Sequence, residues 1–381
     1  MFSKSVAIQF FLVSFLALFL SQAHAVVEPN PPKLKANAYI LQDFQSGKII
    51  AELNSNQRVE PASLTKMMAT YVIEHELQNG NIAMTDEVRI SKKAWKMPGS
   101  RMFVEVNTKV KVEELLKGII IQSGNDATVA LAEFVAGSED SFVSLMNSHG
   151  QKLGMTNTNF MNATGLPHED HYTTAADLAI LVAAMIRDFP EHYSWYSEKV
   201  YTYNGIKQYN RNKLLWQDKY VDGVKTGHTE AAGYCLAASA VKNDMRLISV
   251  VLGTDSERAR ATESQKLLTF GFRFYETHRL YEAQQKLTTA RIWKGEQESL
   301  PLGLAEDLWV TIPRGQYKNL KASMSLDNKI VAPASKGRVY GSVNLDLEGA
   351  PYMSRDLIAL KNIAEGGFVS GIIDEVKMML E

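Results

Sequence analysis

Cysteine is almost missing from this chain: Cys235 stands alone in 381 residues, so no intrachain disulfide can form. It lies in GYCLAASAV and reads as a small buried core residue. An excess of one charge is missing too. The 41 basic and 42 acidic side chains leave a net charge of −1, which gives no electrostatic reason to expect a nucleic-acid partner. Clustered metal-ligand spacing is lacking. His168 and His171 share the polar loop LPHEDHYTT, which reads as a loop rather than a metal site. Neither a metal nor an organic cofactor is expected. Repeats and low-complexity segments are likewise lacking. The one long apolar run, VAIQFFLVSFLALFL, is short for a membrane span. Lys4 precedes it and Ala23-His24-Ala25 follows, the pattern of a signal peptide over residues 1–25, with the mature chain starting near Val26. An exported bacterial protein is expected.

What remains is longer than one typical core, so two domains are the default. NAYILQDFQSGKIIAEL reads as a hairpin turning at Ser46-Gly47. A largely helical region follows from Ser63 to about Arg187, punctuated by Gly80, Pro98-Gly99, Gly137 and Gly154. GYCLAASAV and MRLISVVLGT are strand patterns joined at Asn243 and Asp244, and SERARATESQKLLTFGFRFYE reads as one long helix. Strands, many helices, strands and a helix in that order predict an α+β fold, an antiparallel sheet covered by helices. The expected catalytic unit covers 26–275, and a small β-rich domain with runs such as WVTIP, KASMSL and RVYGSVNLDL covers 276–363. Residues 364–381 form an amphipathic tail. Phe368, Ile372, Ile373, Val376, Met379 and Leu380 share one helical face, away from Asp374, Glu375 and Lys377. Either an interfacial membrane anchor or a packing helix accounts for it.

The chemistry begins at VEPASLTKMMAT. Ser63 and Lys66 lie one helical turn apart and share a face. A lone S-x-x-K means little, and Ser239 and Lys242 repeat the spacing inside a strand, where an odd separation sends the two side chains to opposite faces. Around Ser63 the setting differs. Pro61 suits a helix start, whose N–H groups and dipole favour an oxyanion. Lys66 can take the hydroxyl proton if burial or a nearby cation lowers its pKa. Downstream, Ser123-Gly124-Asn125 interrupts an apolar helical pattern, where a turn can set a hydroxyl beside an amide or simply cap a helix. Lys225-Thr226-Gly227 comes just before the strand pair, and its glycine allows a ligand close to the strand backbone. S-x-x-K, S-x-N and K-T-G in this order are the signature set of penicillin-binding proteins and serine β-lactamases.

With these motifs the chain resembles the low-molecular-mass penicillin-binding proteins, specifically D-alanyl-D-alanine carboxypeptidases of the DacA type. EPASLTKMMATYVI, IIIQSGNDATVALAE, VDGVKTGHTEAAGYCLAASA and MRLISVVLG are similar to that family's catalytic domain. PRGQYKNLKASMSL resembles its β-rich domain, and EGGF with the amphipathic stretch resembles its anchoring tail. His228 directly after K-T-G also matches. The resemblance implies a periplasmic enzyme, peripheral on the inner membrane through its tail. It would trim D-alanine from peptidoglycan pentapeptides ending in D-Ala-D-Ala and be acylated by β-lactams.

By the same resemblance Ser63 is the nucleophile, Lys66 its proton acceptor, and Ser123 a proton relay to the departing D-alanine. Asn125 binds the substrate amide. Lys225 adds positive charge near Ser123 and helps keep Lys66 neutral. Thr226 and Arg260 hold the terminal carboxylate, and the N–H groups of Ser63 and His228, beside Gly227, form the oxyanion hole. Arg258 competes with Arg260 on residue chemistry, and the family position favours Arg260. A β-lactamase or D,D-endopeptidase on the same fold is the alternative; S-G-N in place of S-D-N argues against the former. A non-catalytic wall-binding scaffold is the remaining one.

Overall fold

The computed structural model describes residues 29–380, with backbone alone for Val369, Ser370 and Leu380. The expected signal peptide lies outside the described residues. Five antiparallel strands form the central sheet, in the order Ile49–Leu53, Ala38–Asp43, Met245–Thr254, Gly233–Lys242, Val221–Thr229. The first hairpin turns at Gly47, and the Asp43 carboxylate accepts from both the backbone N–H and the hydroxyl of Ser46 at 2.8 Å. In the second hairpin Asn243 and Asp244 both take positive φ, 51° and 63°, the turn that matches strand twist.

Alternation along these strands sorts side chains to two faces. Ala38, Ile40, Ile248 and Val250 join the core of the helical lobe, which includes the helices Thr65–Gln78, Asn125–Ala136 and Ala175–Asp188. Tyr39, Leu41, Leu247 and Val251 pack instead with Leu267, Leu268 and Phe270 of the helix Glu257–Phe274. The sheet therefore lies between two helical layers, and the α+β expectation holds. Two segments inside the expected helical stretch are otherwise. Glu87–Arg89 pairs with Lys109–Lys111 as a small hairpin, and 156–174 is mostly loop. A further hairpin, Val200–Tyr203 with Ile206–Tyr209, follows.

The helix expected to run to Glu276 stops at Phe274. Arg314, from the next domain, donates through Nη2 to the Phe272 and Tyr275 carbonyls at 2.8 and 2.7 Å, and its backbone N–H takes the Phe274 carbonyl. With those carbonyls satisfied, Tyr275–Tyr281 continues as a strand paired with Leu308–Pro313. The all-β domain adds a six-stranded sheet and its own core of Ile292, Leu300, Val310, Leu345 and Leu357. It meets the catalytic unit at the first hairpin's turn. Thr277 donates to Asp43 at 2.7 Å, and the Ser46 and Thr311 hydroxyls lie 2.6 Å apart. The tail forms the helix Phe368–Leu380, held by the Lys294 N–H to Asp374 at 2.7 Å and by an ion pair of Lys294 with Glu375. Among the described residues no helix is long and apolar enough to cross a membrane.

Candidate active site

Ser63 sits in a single 3₁₀ turn, Ala62–Leu64, and the α-helix begins one residue later at Thr65. Ala62 takes φ +46°, so the chain enters the turn sharply and leaves Ser63 at its apex. Two glycines make room for this turn. A Cβ on Gly165, which has φ +85°, would stand 1.8 Å from the Ala62 carbonyl oxygen. One on Gly227 would meet the Pro61 oxygen at 3.1 Å and the Ala62 Cβ at 3.2 Å. The K-T-G glycine thus admits the nucleophile's own turn, rather than only a ligand, against the strand. Below, the Thr65 hydroxyl bonds the buried His171 at 2.9 Å, which gives that histidine a structural partner.

Lys66 is 1% exposed, and its Nζ lies 3.0 Å from Ser63 Oγ and 2.6 Å from the Thr164 carbonyl. Burial, reinforced by the Arg211 guanidinium and opposed by Asp126, brings its pKa down to about 7. An amine poised there is a competent base at neutral pH. The Thr164 carbonyl is presented by an Asn162 turn, whose Oδ1 accepts the N–H groups of Thr164, Gly165 and Leu166.

Ser123 follows a π-helical turn, Gly118–Gln122, and adopts a left-handed conformation with φ 65° and ψ 37°. Its Oγ is buried and meets no hydrogen-bond partner among the described residues. Such an orphan hydroxyl in a cavity calls for a functional explanation. Asn125 donates Nδ2 to the Pro98 carbonyl at 2.6 Å and leaves Oδ1 unpaired, so what it offers an incoming amide is an acceptor. Next to it, Asp126 fastens the loop above by accepting the Met102 and Phe103 N–H groups at 2.8 Å each. Lys225 is buried, with Nζ on the Thr226 carbonyl at 3.1 Å. Burial first, then Lys66, Arg211 and Arg260, holds it well below the ordinary lysine range.

Opposite this floor is a cationic pole. Arg260 is 4% exposed, donates to the Gly227 carbonyl at 3.1 Å and lies over the Tyr234 ring, whereas Arg258 is exposed. His228 stacks on Tyr234 with centroids 4.0 Å apart. Ser63, Ser123, Thr226, Gly227, His228 and Arg260 line one cavity of about 200 Å³. Arg211, Tyr234, Glu257 and Ser100 complete its walls. Sequence reasoning missed Arg211, Tyr234, Thr164 and Asn162. The decoy pair behaves as a strand should: Ser239 is fully buried, accepting from Arg246 at 2.6 Å, and Lys242 lies over the Tyr220 ring.

The chain as a whole has known relatives. The family model described as D-alanyl-D-alanine carboxypeptidase, peptidase S11, matches residues 25–256. A second, penicillin-binding protein 5 C-terminal domain, matches 275–365. D-alanyl-D-alanine carboxypeptidase DacC of Escherichia coli (strain K12) is 46% identical over 374 residues, 96% of this chain and 94% of that protein. The crystal structure of penicillin binding protein 5 from Haemophilus influenzae aligns with a TM-score of 0.86 and 45% identity, covering 88% of this chain and all of that one. Penicillin-binding protein D2 from Listeria monocytogenes, solved in an ampicillin-bound form, aligns over 64% of this chain and 99% of its own, with a TM-score of 0.59 and 28% identity.

Proposed function

The chain belongs to the D-alanyl-D-alanine carboxypeptidase family, and from that premise we propose that it removes the terminal D-alanine from peptidoglycan pentapeptides through Ser63. It is a serine-type hydrolase of cell-wall biogenesis and a penicillin-binding protein. The observation that carries the site assignment is the 3.0 Å contact of Lys66 Nζ with Ser63 Oγ on the floor of a cavity with an arginine pole.

The substrate's terminal carboxylate sits at Thr226 and Arg260, which points the last peptide bond back toward Ser63. Asn125 Oδ1 accepts the substrate amide N–H. Neutral Lys66 takes the Ser63 proton as Oγ bonds to the penultimate D-alanine's carbonyl carbon. The backbone N–H groups of Ser63 and His228 receive the oxyanion, each such donor being worth about 2.7–4 kcal/mol in the transition state. The proton then passes from Lys66 through Ser123 to the departing amine as the C–N bond breaks. Water, deprotonated in turn by Lys66, cleaves the ester and frees the tetrapeptide. A β-lactam enters as a mimic of the D-Ala-D-Ala bond and stops at the acyl-enzyme.

The units are taken as 26–275 for catalysis, 276–363 for the β domain and 364–381 for the tail. The protein is read as exported to the periplasm, with the tail's apolar residues resting on the inner-membrane surface. Phe368 and Met379, 85% and 78% exposed, support the last point. The decisive assay is D-alanine release from a peptide ending in D-Ala-D-Ala, with labelled penicillin in parallel. Wild type should release and label, and Ser63→Ala should do neither. A Ser63→Ala protein that still turns over refutes the assignment.

A further inference from the structure

The buried Arg260 side chain donates to one backbone acceptor, the Gly227 carbonyl at 3.1 Å. Among the described residues it has no carboxylate at ion-pair distance. Glu257, the acid of the same cavity, is paired with Lys213 at 2.9 Å. An arginine without an acid beside it keeps its charge for a ligand, but something else must then hold its long side chain in one orientation. Here that is a ring. The guanidinium carbon lies 5.6 Å from the centroid of Tyr234, and the same ring stacks on His228 with centroids 4.0 Å apart. Arg260 belongs to the helix Glu257–Phe274 and His228 to the strand Val221–Thr229, so Tyr234 ties two separate elements together at the cavity wall. Tyr234 is itself fixed on both sides. It stands opposite His228 in one ladder and Thr254 in the other, and its carbonyl accepts the Thr254 hydroxyl at 2.9 Å. Gly233 before it takes φ +63°, where a Cβ would stand 3.1 Å from the Thr254 carbonyl oxygen. After it the ladder to Met245–Thr254 shifts register, the kind of irregularity that re-aims a side chain next to an active site.

A single residue separates the scissile carbonyl from the terminal carboxylate, so the span from the oxyanion hole to Arg260 has to match the length of that residue. We propose that Tyr234 is the positioning residue that fixes this span, and that it thereby sets how strongly the enzyme prefers a substrate ending in a free carboxylate. The proposal rests on the carboxypeptidase reading. The order of support runs from the sheet to the ring and from the ring to the guanidinium. His228, whose N–H receives the oxyanion, is held by its ladder to the strand of Tyr234, and its imidazole seats the Tyr234 ring. The ring face then attracts the guanidinium and settles its orientation. A carboxylate in the place of the ring would hold Arg260 as firmly, but it would neutralise the charge that the substrate needs. An aromatic face holds the arginine and leaves that charge free. Both contacts are made by the ring and neither by the phenol hydroxyl. Without the ring, Arg260 keeps its charge but loses its aim, and an ångström of misplacement is enough to slow an enzyme by about a hundredfold.

The experiment is a double-mutant cycle, read as kcat/KM for D-alanine release from a peptide ending in D-Ala-D-Ala. Tyr234→Leu should lower kcat/KM by about tenfold or more in the wild-type background. In an Arg260→Gln background, where no guanidinium remains to be aimed, the same change should cost no more than about twofold. Tyr234→Phe keeps the ring and should stay within about twofold of wild type. A second probe, the same peptide ending in D-alaninamide, removes the carboxylate from the substrate instead of the arginine from the enzyme. Tyr234→Leu should shrink the preference for acid over amide by about tenfold or more. Thermal melts check the fold of each variant, and Tyr234→Met carries the same expectations should Tyr234→Leu melt below the assay temperature. Equal losses in the two backgrounds overturn the proposal, because the ring would then act on something other than Arg260. An unchanged acid preference overturns it too, as does a Tyr234→Phe protein that falls as far as Tyr234→Leu. A wild-type protein that releases no D-alanine would instead remove the carboxypeptidase reading beneath it. The cycle is then read in the rate of acylation by penicillin, whose carboxylate meets the same arginine.

Discussion

The two parts of the chain bury different chemistry. Around the catalytic cavity Lys66, Asp126, Lys225 and Arg260 are each less than 5% exposed, and three of these four are basic side chains. The β domain buries Leu300, Val310, Ile312 and Leu357 and, among its described residues, no charged side chain. Burying a cation costs solvation that its surroundings rarely return. A fold keeps such groups where they act and otherwise fills its interior with hydrocarbon. The β domain is built for stability and reach; the catalytic unit gives up some stability for a basic lysine.

The hardest way to break that contrast is to keep a basic side chain in place and remove its ability to move a proton. Lys66→Arg puts a permanent cation beside Ser63, because a guanidinium does not deprotonate in a protein. Both penicillin acylation and D-alanine release should fall by about 10³-fold or more, read as kcat/KM. A variant that keeps more than about a tenth of the activity would show that the proton goes elsewhere.

Glycine substitutions sharpen the comparison. Gly165→Ala puts a methyl group into the Ala62 carbonyl and should displace Ser63, lowering kcat by about 10²-fold, the usual effect of an ångström's misplacement. Gly337→Ala, in the β domain, has nearly the same φ, +87°, but open space around it. It should cost about 1 kcal/mol of stability from backbone strain and leave turnover untouched. Thermal melts beside activity assays separate the two.

The pH profile comes next. The acid limb of kcat/KM should lie at about 7, because acylation needs neutral Lys66. Arg211→Gln removes a cation that repels the ammonium, so the limb should move to higher pH. The stability sign is opposite to that of a paired lysine. Between pH 7 and 10.5 the unfolded chain binds the Lys66 proton and the folded chain does not, so stability rises with pH across that window. The penalty is complete below 7 and gone above 10.5. Lys66→Met should therefore raise the neutral-pH stability by about 1–4 kcal/mol, a gain that fades toward the alkaline end. An unchanged Tm at pH 6 would argue against the burial penalty.

Which parts were readable in the sequence follows from range. Ser63 and Lys66 announce each other across one turn, and Lys225, Thr226 and Gly227 are contiguous, so local spacing found them. The Asn243-Asp244 turn was equally local. Thr164 reaches Lys66 across 98 positions, and no short pattern records that contact. Arg211 was missed for the same reason. The choice between Arg258 and Arg260 rested on the family position; the structure buries Arg260 on one side with Ala261, Ser264 and Leu268 and leaves Arg258 exposed. The early end of that helix was not readable, because Arg314 comes from another domain.

The smallest effect is expected at the tail, where the contrast between charge and hydrocarbon recurs at the surface. Phe368, Ile372, Ile373, Val376 and Met379 are all at least half exposed, while Asp374 and Glu375 are engaged by Lys294. Apolar side chains then supply the attraction to a bilayer, and no cationic cluster draws the helix to anionic lipid. Removing residues 368–381 should leave D-alanine release from a small soluble peptide unchanged, because the helix touches the β domain and not the cavity. The same deletion should abolish co-sedimentation with lipid vesicles. With the tail intact, zwitterionic and anionic vesicles should bind within about twofold of each other, and added salt should not release them. Strong preference for anionic vesicles would place the attraction in basic side chains elsewhere on the molecule, and the helix would then be a packing element of the β domain.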